Sequence, residues 1–178
     1  LSFMIFFTVI GLGYGFSSAI TALIGNANGK GKKFLASLYA HKGIFFMQML
    51  AIILTIIGFF SSPYLFKLLG ASGSYLDISL EYMNIILLGT VFFMTNFALN
   101  AILMSRGDSK TYRNTLIFGF FANLVLNPLF IYGFLFIPAM GIKGIALATV
   151  LIQLINVFYM LYKVMKTKLI HFENFKYF

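Results

Sequence analysis

Seven polar side chains set inside otherwise apolar stretches are the first candidates for chemistry. Asn96 and Asn100 stand four apart, as do Asn123 and Asn127, while Thr149, Gln153 and Asn156 follow at spacings of four and three. At 3.6 residues per turn, each set falls on one face of a helix. Amides donate and accept hydrogen bonds but do not titrate. Two readings are open. The amides bond across helices, worth about 0.6–2 kcal/mol each, or stripes on three helices line one hydrated pathway, where polar groups in hydrocarbon find water. Asn127 precedes Pro128. Proline removes a backbone hydrogen bond and bends a helix, so this point is either a static kink or a hinge for gating.

Other chemistry is poorly supplied. There is no Cys, so thiolate catalysis, thiolate metal ligation and disulfides are excluded. His41 and His171 sit beside lysines outside the apolar runs, and no His/Asp/Glu set has metal-ligand spacing. No Asp or Glu falls within a long apolar run. Asp77 and Glu81 are expected at a helix start, where a carboxylate favours the dipole, and Asp108 in a turn. Catalysis needs a mutually positioned acid, base or nucleophile, and none is visible. We expect neither an enzyme nor a bound cofactor.

Two glycine patterns resemble phosphate-binding loops and fail in detail. GLGYG at 11–15 has Phe16 where a dinucleotide fingerprint needs its third glycine. Its small residues suit close helix packing. GNANGKGKK at 25–33 has one residue too few between glycines, and Gly31 after Lys30 where a P-loop needs Ser or Thr. It reads as a flexible loop with a helix C-cap at Gly25.

The elements that must hold these residues are membrane spans. Of the 178 residues, 61% are hydrophobic and 10% are charged, against about 25% charged in soluble domains. A chain this size has too little interior to bury so much apolar surface. A bilayer core of roughly 30 Å needs about 20 apolar residues of helix. Five charge-free runs supply them, and predict helices near 3–24, 44–61, 80–104, 114–135 and 142–163. Short connections imply that consecutive helices are antiparallel neighbours. The longest, 62–80, contains PYLFKLL, which fits a short interfacial helix. The chain starts at Leu1 directly in apolar sequence, which predicts a first residue lying inside a longer hydrophobic segment.

The net charge of +9 follows topology rather than nucleic acid. Lys30, Lys32, Lys33 and Lys42 fall in the first connection; Arg106, Lys110 and Arg113 in the third; Lys163, Lys166, Lys168 and Lys176 in the tail. The second and fourth connections hold only Lys67 and Lys143. The positive-inside rule makes the basic side cytoplasmic. The tail, with Phe172, Phe175, Tyr177 and Phe178, is expected on the inner leaflet or leading to another span.

Four stretches carry a family resemblance: the small-residue helix running into GNANGKGKK, NAILMSRGDSK at 100–110, NLVLNPLFIYG at 123–133, and GIKGIALAT at 141–149. In order and spacing the chain resembles the multidrug and toxic compound extrusion (MATE) transporters. Asn26 stands where Gln is frequent. The resemblance implies an all-α polytopic bundle in which residues 1–178 form part of an N-terminal lobe. The five helices would be the second to sixth of a six-helix lobe, and the first helix and a C-terminal lobe would complete the cavity. It further implies a multi-pass cell-membrane protein exporting amphipathic, often cationic compounds by Na+ or H+ antiport through alternating access.

Many relatives carry Asp where Asn127 stands, so the coupling ion is open. The resemblance offers Asn96, Asn100, Asn123, Asn127, Gln153 and Asn156 as cavity-lining positions, and small-molecule drugs and lipid as partners. The alternative is a lipid-linked oligosaccharide or polysaccharide flippase of the same superfamily, which would favour cationic residues inside the spans.

Overall fold

A computed structural model of the chain describes residues 2–134, 138–167 and 169–170, with side chains from Phe7 onward. Lys168, His171, Lys176 and the tail aromatics lie outside the described residues. Five helices follow in order: α1 Ser2–Gly29, α2 Lys33–Leu68, α3 Gly73–Met104, α4 Lys110–Tyr132 and α5 Ile142–Lys166. Each contains a segment long and apolar enough to cross a membrane, so the chain is a multi-pass membrane protein.

The helices outrun the apolar runs that predicted them. α2 begins at Lys33 rather than near 44 because Ala36 and Ala40, one turn apart, are fully buried, with Ser37 and His41 beside them. Lys33 and Lys42 point outward from the same turns. At its other end α2 continues through Pro63 to Leu68, so PYLFKLL is the end of this helix and not a separate interfacial one. α1 likewise runs past Gly25, which is no cap.

α1, α2 and α3 all end in one way. A glycine in the left-handed region (Gly31, Gly70 or Gly107) donates to a carbonyl three residues back. The next residue (Lys32, Ala71 or Asp108) donates to one five back. This paired closure satisfies carbonyls a helix end otherwise leaves open, and the left-handed turn is where glycine is favoured.

Side-chain contacts fix the directions. Ser17 Oγ donates to Phe97 O (2.9 Å) and Thr21 Oγ1 to Ala101 O (3.3 Å), so α1 runs parallel to α3. Gln48 Nε2 donates to Thr95 Oγ1 (2.7 Å) and Thr55 Oγ1 to Leu87 O (2.9 Å), so α2 is antiparallel to it. α5 lies parallel to α3, with Val150 against Gly89 and Gln153 against Asn96. α3 therefore packs on α1, α2 and α5, while α4 packs on α5. The expectation that consecutive helices pair fails at α3 and α4. Gly89 admits Val150 so closely that a Cβ there would collide with the valine side chain, and this fit seats α5 on α3. The main core draws on α1, α2, α3, α5 and Leu169, with only a partly buried Tyr112 from α4.

These directions bring Lys30, Lys32, Lys33, Arg106, Lys110, Arg113, Lys163 and Lys166 to one end of the bundle, the basic end. At the opposite end Lys143 pairs with Glu81 at 3.0 Å, both side chains about half exposed. α3 has no acidic residue in its first turn, so Glu81 serves this ion pair, and Asp77 and Glu81 do not open the helix as expected.

Candidate functional site

The amide stripes fall on the seams of this bundle. At the α3–α5 seam, Asn96 is buried, and its Nδ2 donates to Gln153 O (3.0 Å) and Gln153 Oε1 (2.7 Å). One turn toward the basic end, α3 carries Asn100 and α5 carries Asn156, both buried. Asn156 faces a groove of about 290 Å³ between α4 and α5, lined also by Asn114, Thr115, Phe118, Ile155 and Tyr159.

On α4, Asn123 Nδ2 turns back to Gly119 O in its own helix at 3.0 Å. On α5, Thr149 Oγ1 does the same to Ile145 O at 2.9 Å. Asn127 is half-buried, and Pro128 follows it, exposed and inside α4. Beyond Pro128 the helix is pinned. Met140 N donates to Phe130 O at 2.9 Å. Gly144 lets α5 approach so closely that a Cβ there would lie 2.7 Å from the Phe130 carbonyl.

The structure thus separates the six candidates. Asn96 and Gln153 are brought together as an interhelical pair. Asn123 is satisfied locally. Asn156 alone lines the α4–α5 groove. Three carbonyl oxygens, those of Asn96, Asn100 and Asn127, are buried with no hydrogen-bond partner. A buried acceptor left unpaired forfeits roughly 1–3 kcal/mol, which a donor or a cation placed there would return. Among the described residues no group of His, Asp or Glu could hold a metal ion.

Sequence reasoning passed over Gln48, Ser17, Thr21 and Thr55, which join α1 and α2 to α3. Gln48 is a lone amide in the 43–66 run and was visible as such. Ser17 and Thr21 share the four-residue spacing of the asparagine pairs. Asn114 and Tyr159 in the groove had no such signal, since both lie near the ends of their spans. At the basic end, Asp108 takes Thr111 N (3.0 Å) and Thr111 Oγ1 (2.6 Å), capping α4. The bonds from the Thr111 hydroxyl and then its backbone hold the carboxyl below its ordinary value.

This fold and these seams define a polytopic membrane protein whose helices meet through neutral amides. Residues 1–129 match MatE, and the chain belongs to this family, the MATE transporters. It is 33% identical over 167 residues to the probable multidrug resistance protein YpnP of Bacillus subtilis (strain 168), covering 93% of this chain and 36% of that protein. It is 31% identical over 149 residues to the probable multidrug resistance protein YoeA of the same organism, covering 84% and 32%. Among solved structures, the outward-facing conformation of a multidrug resistance MATE family transporter of the MOP superfamily matches with a TM-score of 0.87 at 26% identity. That match covers 98% of this chain and 39% of the other. The chain spans about a third of the length of these curated relatives.

Proposed function

We propose that the chain is part of a secondary active transporter that exports amphipathic, often cationic small molecules in exchange for Na+ or H+, by alternating access. The observation that carries this reading is the set of unpartnered amide oxygens at Asn96, Asn100 and Asn127. Neutral acceptors on an apolar background attract cations and donors without imposing one geometry, which suits variable, greasy substrates. The multidrug-resistance names of YpnP and YoeA support the same class of cargo. Their greater length supports a cavity completed by a further helix and a second lobe. Pro128, between the unpartnered Asn127 and the pin at Phe130, is the hinge of this proposal. The basic end is the cytoplasmic one in a cell membrane, by the positive-inside rule.

The test is Asn127→Asp in the full-length transporter, read as efflux of a fluorescent cation across a range of pH. A new titrating group on the pathway is expected to make export more pH-dependent. An unchanged profile at normal expression removes Asn127 from the pathway. Orientation is tested separately with Ser109→Cys and Ser72→Cys, both at exposed positions. An impermeant maleimide added outside is expected to label residue 72 and spare residue 109. The reverse pattern overturns the orientation.

A further inference from the structure

The turn between α1 and α2, expected as a flexible loop, is closed by backbone hydrogen bonds. Lys30 N donates to Asn26 O (3.1 Å), Gly31 N to Asn28 O (3.0 Å) and Lys32 N to Ala27 O (3.0 Å). These bonds hold the backbones of Lys30 and Lys32 in one geometry. Between them opens a cavity of about 150 Å³, lined by Leu23, Asn26 and Lys30 from α1 and its turn, and by Lys32, Leu35 and Tyr39. Its lining combines two lysines, an amide and a phenol with Leu23 and Leu35. Leu23 lies two turns inside the end of α1, and Tyr39 two turns inside the start of α2, so the cavity reaches about 10 Å toward the middle of the span.

The electrostatics are one-sided. α2 starts here with no side-chain cap and no acidic residue in its first turn. The positive end of its dipole therefore adds to Lys30, Lys32 and Lys33. Among the described residues Asp108 is the acid at this end, and Thr111 engages it. The described charges at this corner are therefore basic, without a free acid to balance them. Apolar Leu23 and Leu35 below the lysines point to an anion with a hydrocarbon body attached.

We propose that this cavity binds an anionic glycerophospholipid. Its phosphodiester sits between Lys30 and Lys32 at the start of α2, and its acyl chains run down past Leu23. Asn26 and Tyr39 supply neutral donors to the phosphate and glycerol oxygens.

The experiment is a lipid titration of the delipidated full-length transporter by native mass spectrometry. The probes are dioleoylphosphatidylglycerol, dioleoylphosphatidylcholine and inorganic phosphate. Phosphatidylglycerol is expected to bind in preference to phosphatidylcholine. Lys30→Gln with Lys32→Gln, both exposed and so neutral to folding, is expected to weaken it about thirtyfold, since each basic residue near an anionic surface contributes about 1 kcal/mol. Lys163→Gln with Lys166→Gln, at the same end, is expected to leave this affinity within twofold. Leu23→Trp keeps every charge but fills the cavity, and is expected to weaken binding as well.

Equal binding of both lipids overturns the proposal, as does equal loss in the two lysine pairs, which would mean diffuse charge. Full binding by Leu23→Trp overturns the cavity as the site. Inorganic phosphate that competes at concentrations near those of the lipid overturns the lipid in favour of a free anion.

Discussion

α3 and α4 are neighbours in sequence and opposites in setting. Of the most apolar 18-residue stretch of α3, 72% is buried, against 11% for α4. α3 touches three helices and bonds across to them, at Asn96 with α5 and at Thr95 with α2, although the side-chain oxygens of Asn96 and Asn100 stay open. α4 packs mainly on α5, reaches α1 through the Tyr14–Tyr112 hydroxyl contact, satisfies Asn123 within its own turns and leaves Asn127 with an open carbonyl. The same side chain, an asparagine in a membrane span, joins helices in one place and stays available in the other. What separates Asn96 from Asn127 is a polar side chain directly opposite, since Gln153 faces Asn96, whereas Asn100 is also buried and has an open oxygen.

The contrast can be broken most severely where α5 meets the Phe130 backbone of α4. Gly144→Val pushes a side chain into the Phe130 backbone. Overpacking of this kind costs about 1–3 kcal/mol, and the rigid backbone target puts this change at the upper end. A thermal melt of the detergent-solubilised transporter is expected to show the largest loss of the set. A near wild-type melt would mean that α4 is held elsewhere.

Asn96→Leu and Gln153→Leu come next. Their double-mutant cycle is expected to give a coupling of about 0.6–1.7 kcal/mol. Zero coupling would move Asn96 from the joining class to the available one.

Asp108→Ala removes the cap of α4 and is expected to cost about 1 kcal/mol at neutral pH. The Thr111 hydroxyl and backbone hold the carboxyl below its ordinary value in the folded protein. Its contribution is therefore complete above that value and is lost as pH falls through the lower folded one. Wild type and variant are expected to converge only in strongly acidic solution. Convergence already at pH 5 would contradict the lowered value.

Smallest in stability are Asn123→Ala and Asn127→Ala, each expected within about 0.5 kcal/mol of wild type, as for sites without cross-helix partners. Asn127→Ala is nonetheless expected to reduce export severalfold. A large stability loss with transport intact would erase the distinction between the two helices.

The five spans were legible because continuous apolar runs of about 20 residues have few other uses. Their ends were not. Charge marked Lys33 and Lys42 as loop, but a helix can turn lysines outward while Ala36 and Ala40 are buried on its other side. The pairing of α3 with α5 was hidden as well. Loop length favours sequential neighbours, and only the three-dimensional fit of Val150 over Gly89 and the Asn96–Gln153 bonds show otherwise. The amide stripes were plain from spacing. Their division into joined and open groups was not, because spacing gives the face of a helix and not what lies opposite it.

The pairing of Asn96 with Gln153 also sets a timetable. The two residues are 57 apart in sequence, with all of α4 between them. At roughly 5–20 residues per second of synthesis, α3 spends about 3–11 s in the bilayer before its partner exists. During that interval a bare amide faces lipid or a temporary companion. α5, made after α4, completes the packing that α1 and α2 began on α3.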